Sequence, residues 1–467
     1  MSRVARSVPA ERNVVVLCLD TVRKDAFDAF APRLRAAADV EYAGCRAASS
    51  WSTPSHASMV TGHLPHEHGV NAHAPSFRPL AGRTVFDRLP HHTVGVSANP
   101  YAGSPHGFDT LFDEFVDVSR YRRFPTGADP DALVRDHADG TPRGYARALA
   151  AVARHDHPLR SAANLAAFRA NDLVRHGPLS GPELFDDGAR VVERATLDRL
   201  EASDEPVAVF CNVMDAHSPL RAIRGFAGTD VPEGWTSEGM TPTAVSTDPE
   251  AFVEDLHRYR TLYAAAVDYL DRWTLGFAER LQAATDRETT LVVTADHGEN
   301  LGYPADDGLF GHVGSLTEAL LHVPLVVLNA PESPGVVDGT VSHLDLPYLV
   351  ESLAAGSVPN LRREHVLAEV LGRTPGNDGL GERFDRVRRI VYDGDRKHEW
   401  DDAGESRTLA LDADRPCWQT TVDTVDRPDW TADLPALETV RADRATDAVD
   451  ESVDESVESR LRDLGYR

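Results

Sequence analysis

Lysine is all but missing from this chain. Lys24 and Lys397 stand among 48 basic residues, the rest arginine, while Asp and Glu number 74 and the formal charge is −26. So acidic a surface repels phosphate backbones and anionic bilayers, which argues against nucleic-acid or membrane-surface partners. Scarce lysine beside abundant Asp, Glu, Arg and Ala reads as adaptation of a cytoplasmic protein to very high salt, a halophilic pattern. Cysteine is sparse too. Cys18, Cys45, Cys211 and Cys417 show no CxxC spacing, which argues against a zinc knuckle or a disulfide framework. Cys18 and Cys211 lie in apolar runs, where a reduced, buried thiol is expected. The opening residues MSRVARSVPAERN lack the apolar region of a signal peptide, and no apolar run reaches the roughly 18 residues of a membrane span. A cytoplasmic location without integral membrane contact is expected, with the oligomeric state open.

What the chain does have is 42% hydrophobic residues over 467 positions, enough for one large domain and a smaller one. Short runs rich in β-branched residues, VVVLCLD (14–20), TVGVSAN (93–99), VAVFCNVMD (207–215), TLVVTADHGE (290–299) and VPLVVLN (323–329), read as buried strands of a largely parallel sheet. Between them, 181–202 and 259–284 repeat apolar residues at three- and four-residue intervals, as helices do. The alternation predicts an α/β fold, a large mixed, mostly parallel sheet sandwiched by helices, over residues 1–360. Within it, 117–180 reads as an insertion near the rim and 225–250 as a surface loop. From 361 to 467 the texture changes. HVLAEVL, DRVRRIVYDGDRKHEW and SRTLALD predict a small antiparallel sheet with DG and AGES turns, and DAVDESVDESVESRLRDLGYR an acidic tail helix.

Ligands of a parallel sheet gather beyond the carboxyl ends of its strands. Asp20, Asn99, Asp215, Asp296 and His297 stand there. For a lone acid at a strand end helix capping is the better reading, but a buried carboxylate is costly unless it is paired or binds a metal, so Asp20 and Asp296, with His297 adjacent, suggest a shared cation. The stretch SSWSTPSHASMVTGHLPHEHGV (49–70) places hydroxyls just before Pro54, a helix-start signature. Ser52, Thr53 or Ser55 can be a plain cap. On local sequence alone that reading is the stronger one; in the other, a hydroxyl at the positive end of a helix meets anions such as phosphate or sulfate, and becomes a nucleophile if a divalent cation touches its oxygen. His56, His217 and His312 are candidates to bind an anion's oxygens or to protonate a leaving group. His63, His66, His68, His91 and His92 read as bystanders.

Five ordered stretches give the chain its resemblance to the sulfatase family within the alkaline phosphatase superfamily. NVVVLCLDTVRKD resembles the family's opening strand and first metal aspartate. STPSHASMVTGHLPHEHG resembles its signature Cys/Ser-x-Pro-Ser-Arg with the Thr-Gly and His-x-x-Gly that follow. NVMDAHSPL is similar to its central His motif, and TADHGENLG with GHVGSLTEALLHVPLVV to its second metal motif and the following loop. LRDLGY resembles its usual end.

The resemblance implies an alkaline phosphatase-like fold and a metal-dependent sulfuric ester hydrolase acting on a soluble sulfated or phosphorylated small molecule or saccharide. It makes Asp20, Asp296 and His297 metal ligands, and Ser52 both nucleophile and inner-sphere ligand. His56 would help to hold developing charge, His217 and His312 would contact substrate oxygens, and Asn99 would line the same pocket. One divalent ion is implied, calcium, manganese or magnesium rather than zinc. A phosphoric ester or phosphodiester hydrolase, a phosphoglycerol-type transferase, and a sulfatase-like binding protein without catalysis are the alternatives. Three departures stand out. Thr21 follows Asp20 where the family pattern pairs two aspartates, His56 occupies the position of its arginine, and Ser52 that of its cysteine. Aerobic conversion of cysteine to formylglycine is thereby excluded; conversion of Ser52 by a radical maturase, or direct use of its hydroxyl, stays open.

Overall fold

The computed structural model describes residues 12–137, 141–175, 181–226, 232, 234–374, 377–422 and 427–446. In chain order the strands of the main sheet are β1 (Asn13–Leu19), β2 (Val40–Arg46), β3 (His92–Ser97), β4 (Glu114–Asp117), β5 (Val207–Val213) and β6 (Thr289–Thr294). A two-stranded ribbon, β7 (Asn300–Leu301) with β8 (Phe310–Gly311), then precedes β9 (Leu325–Leu328) and β10 (Gly335–Ser342). The main sheet runs β10-β2-β9-β6-β1-β5-β3-β4. All neighbours are parallel except β9, which is antiparallel to β2 and β6. β1 is buried along its whole length, which explains its unbroken apolar run, and each buried Val or Leu there contributes about 1.5–3 kcal/mol relative to exposure.

Register brings the strand ends together. Leu19 of β1 pairs with Val213 of β5, Cys18 pairs with Thr294 of β6, and the Asp20 amide donates to the Val213 carbonyl at 3.0 Å. The chain therefore leaves β1, β5 and β6 at one rim, delivering Asp20, Asp215, Asp296 and His297 to it. Ser97 of β3 pairs with Asn212, so Asn99 arrives at the same rim from the other side of β5.

A second sheet, β11 (His365–Leu371), β12 (Val387–Asp393), β13 (Arg396–Asp401), β14 (Ser406–Leu411) and β15 (Gln419–Val422), is antiparallel and sequential. Gly394 and Gly404, at φ 61° and 86°, make its β12–β13 and β13–β14 turns, as the DG and AGES signals predict. Val366, Ala368, Val370, Ile390 and Tyr392 join the apolar core of the main sheet, so the two sheets pack together.

Four strands carry no clear signal in sequence. β2 reads VEYAGCR, and its Glu41 is buried because Lys24 Nζ lies 3.2 Å away. β10 is a half-exposed edge broken by a bulge, and its Gly339 carbonyl comes so close to β2 that a Cβ on Gly44 would sit 2.4 Å from it. β4 and β15 have only four residues each. The 117–180 segment forms helices Pro130–His137, Pro142–Arg154 and Pro158–Arg175 after β4. The 225–250 segment, expected as loop, holds a short helix at Pro242–Thr247, capped by Thr241 accepting from the Ala244 amide at 3.1 Å. The helix expected at 259–284 begins earlier and spans Val253–Ala283, and that at 181–202 begins at Ala189. The acidic tail, 447–467, lies outside the described residues. Among the described residues no helix is long and apolar enough to cross a membrane.

Candidate active site

The helix Ser52–Thr61 aims its first turn at the rim, and all ten of its residues are buried. Its N-cap is Trp51, which makes no side-chain cap, so the Ser52 hydroxyl is not consumed in capping. Gly62, at φ 78°, ends the helix by donating to the Ser58 carbonyl at 2.8 Å. Ser52 Oγ accepts from Asn99 Nδ2 at 2.9 Å and lies 3.4 Å from His297 Nε2. Asn99 is fully engaged: Nδ2 also donates to Asp20 Oδ2 at 2.7 Å, and Oδ1 accepts from the Tyr101 amide at 2.8 Å.

Asp20, Asp296 and His297, all buried, can each offer a ligand atom within 4.8 Å of the others. Asp20 Oδ2 is held by Asn99 and by Asn212 Nδ2 at 3.1 Å, whereas its Oδ1 has no hydrogen-bond partner among the described residues. Asp296 Oδ1 accepts from the Thr21 and His297 amides at 3.3 and 2.9 Å, and its Oδ2 is likewise unpartnered by hydrogen bonds. Two buried carboxylate oxygens that accept no hydrogen bond among the described residues fit a cation site. His297 Nδ1 donates to the Gly298 carbonyl at 2.7 Å, which leaves Nε2 as the lone-pair nitrogen, the form a metal takes. The donor set of carboxylates, one imidazole and a hydroxyl therefore fits a hard or borderline divalent ion. Burial and the charge of Asp296 push Asp20 well above the usual carboxylate range. Burial also works against Asp296, but the His297 and His56 rings and the His297 amide prevail and hold it at about 2.

Thr21, in place of a second aspartate, contributes its backbone. It adopts φ 62°, uncommon for a β-branched residue, and that turn directs its amide at Asp296. Tyr263 holds it there: its hydroxyl donates to the Thr21 carbonyl at 2.7 Å and accepts from the Arg23 amide at 3.0 Å.

His56 lies beneath the first turn. Its Nδ1 is 2.8 Å from the Ser52 carbonyl and 3.6 Å from Asp296 Oδ2, and its Nε2 is 3.1 Å from Asn212 Nδ2. His312 and His217 stand on the other side of His297, with ring centroids 4.7 Å apart for His297 and His312 and 5.3 Å for His312 and His217. His217 Nδ1 donates to the Ser218 carbonyl at 2.5 Å and His312 Nδ1 lies 3.2 Å from Glu299 Oε1. Burial is the main cause that lowers both rings to about 4, and burial lifts Glu299 to about 7.

Asp215 is turned away from this cluster, accepting from the Asp187 and Ala189 amides at 3.0 and 3.2 Å. Two residues of the neighbourhood escaped the sequence reading: Asn212 binds both Asp20 and His56, and Glu299 meets His312. Ser55, read as a possible cap, instead donates through Oγ to the Asp296 carbonyl at 2.5 Å. An asparagine inside the apolar run VAVFCNV was the available signal, since a buried amide needs partners.

The family model described as Sulfatase matches residues 12–357. Solved structures similar to this chain include the phosphonate monoester hydrolase of Agrobacterium radiobacter, 15% identical with a TM-score of 0.58 over 96% of each chain. The phosphonate monoester hydrolase of Silicibacter pomeroyi is 16% identical with a TM-score of 0.59, over 95% of this chain and 98% of that one. A protein in complex with its substrate D-glucosamine-2-N,6-O-disulfate is 13% identical with a TM-score of 0.57, over 95% and 99%. At these identities the likeness is one of fold. No curated protein sequence matches the chain at a significant level.

Proposed function

The chain belongs to the sulfatase family, and from that premise we propose a metal-dependent sulfuric ester hydrolase in which Ser52 is the nucleophile. Its substrate is a soluble sulfated or phosphorylated small molecule or saccharide. One observation carries the reading: Asp20 and Asp296, both buried and each with an oxygen lacking a hydrogen-bond donor, meet His297 beside the Ser52 hydroxyl at a helix start. We assign residues 1–360 to the catalytic unit and 361–467 to a smaller C-terminal subdomain.

A divalent cation held by Asp20, Asp296, His297 and Ser52 supplies, when bound, charge that favours an ionised hydroxyl near neutral pH and offsets charge on the transferred group. Asn99 Nδ2 orients Ser52 Oγ, and His56 anchors the carbonyl of the same residue. Ser52 Oγ bonds to sulfur or phosphorus as the ester oxygen departs in line, and the departing oxygen gains a proton. Water then attacks the same sulfur or phosphorus, the serine oxygen leaves, and the product acid and the hydroxyl are restored. His217 and His312, which stand beside His297, are the candidates to pass a proton to the departing alcohol and to take one from the attacking water. Were Ser52 converted to formylglycine, the hydrated aldehyde would present its oxygen at the same place.

Ser52→Ala, with melting unchanged, is expected to lower turnover of aryl sulfate and phosphate esters by at least about 10³-fold. Undiminished turnover rejects the mechanism. A second reading, phosphonate monoester or phosphoric diester hydrolysis, is favoured by the two phosphonate monoester hydrolases of similar fold. Ranking kcat/KM on sulfate, phosphonate, phosphodiester and phosphate monoester substrates separates the two. Bound metal without turnover of any ester would instead support a binding protein, the reading motivated by Thr21 and His56.

A further inference from the structure

Asn212 sits on β5 with its side chain fully buried, and its amide nitrogen touches two groups at once. Nδ2 donates to Asp20 Oδ2 at 3.1 Å and faces His56 Nε2 at 3.1 Å. A carboxylate can only accept, so the nitrogen of the amide, not its oxygen, must point this way. Its two hydrogens then match the two acceptors. His56 Nε2 is consequently unprotonated, the ring proton sits on Nδ1, and Nδ1–H donates to the Ser52 carbonyl at 2.8 Å. One side chain thus links the first acid of the cation set to the first turn of the nucleophile's helix.

The consequence for Asp20 is directional. Asn212 and Asn99 both occupy Oδ2, so Oδ1 is the oxygen turned to a cation. The consequence for His56 concerns charge. A neutral imidazole, fed by the Asn212 donor, braces the Ser52 backbone at the position where the family pattern carries a guanidinium, so no buried cation is needed there.

We propose that Asn212 is a positioning residue of this site, holding Asp20 Oδ2 so that Oδ1 meets the cation and fixing His56 in the tautomer that anchors Ser52. The inference rests on the metal-dependent reading above. The full-length chain and its Asn212→Asp and Asn212→Ser variants test it, by calorimetric titration with Mn²⁺, Ca²⁺ and Mg²⁺, each alone, thermal melting of the metal-free proteins, and kcat and KM. The Asn212→Asp change keeps the shape and removes both donors. The Asn212→Ser change keeps one donor and decides the matter should the first variant fail to fold.

The expected result is a loss of Mn²⁺ affinity of about 10–100-fold, the usual effect of removing an outer partner of a metal ligand. It should come with a fall in kcat larger than any change in KM. Variants that melt earlier but keep the wild-type Mn²⁺ affinity and kcat overturn the proposal, since packing alone then explains the residue. Wild-type protein that takes up none of Mn²⁺, Ca²⁺ and Mg²⁺, each titrated alone, overturns the metal-dependent reading itself and this inference with it; wild-type uptake with undiminished uptake by the variants overturns Asn212 alone.

Discussion

Glu318→Gln is expected to separate the two sheets energetically while leaving the side-chain volume unchanged. Glu318 is buried between three partners: Arg46 Nε at 2.7 Å from β2, the Tyr392 hydroxyl at 2.8 Å from β12, and Lys397 Nζ at 3.5 Å from β13. Lys397 also donates to the Leu316 carbonyl at 2.9 Å, fastening the segment between His312 and β9. Burial opposes ionisation of Glu318, but Arg46 and Lys397 outweigh it and hold the carboxyl at about 2. Against an unfolded value near 4.3 the depression corresponds to roughly 3 kcal/mol of stability. Removing the charge also strands two buried cations, and breaking such a pair costs about 3–5 kcal/mol at neutral pH. The sign follows from the direction of the shift. A depressed carboxyl gives stability that is complete above its unfolded pKa and lost as pH falls through its folded one. The wild-type advantage over Glu318→Gln should therefore be constant from pH 7 to about 5, shrink below about 4, and largely vanish near pH 2. Urea denaturation midpoints of both proteins across that range measure it. A difference below about 1 kcal/mol at pH 7, or one that does not shrink on acidification, would refute the reasoning.

Asp20→Asn and Asp296→Asn should each abolish Mn²⁺ uptake in calorimetry and cut turnover by at least about 10³-fold, because each removes a charge from the proposed cation set. His68, held near 3 mainly by burial, is neutral in the folded chain. The unfolded chain takes up its proton below about pH 6.5, so stability falls as pH drops from 6.5 towards 3, and His68→Gln should flatten that part of the curve in denaturant titrations. With a charge of −26, the folded chain should gain stability as KCl is raised from 0.1 to about 3 M, seen as a rising melting temperature; a flat or falling trend contradicts the high-salt reading.

Much of this was legible in sequence because burial leaves a simple trace. Strands buried on both faces, β1, β5 and β6, show as continuous apolar runs, and the residue following each run falls at the sheet rim wherever the register puts it. Asp20, Asp296 and His297 come to the rim in that way. The edge strand β10 and the charged β2 were hidden because their burial depends on partners far along the chain, Lys24 for Glu41 and Gly339 for Gly44. At the site, residue identity was readable but engagement was not. Asn99 stood out as a pocket residue, yet its amide is occupied by Asp20, Ser52 and Tyr101. Asn212, submerged in a strand, drew no notice, because its role depends on which two atoms its nitrogen meets.

Peptide mass spectrometry of residue 52, before substrate and after acid quench during turnover of a slow sulfate or phosphonate ester, tests the central claim most directly. The account predicts that the transferred group is found on residue 52, as serine or as formylglycine, and on no peptide of Ser52→Ala. Turnover with residue 52 unlabelled, or with the group on another side chain, would contradict it.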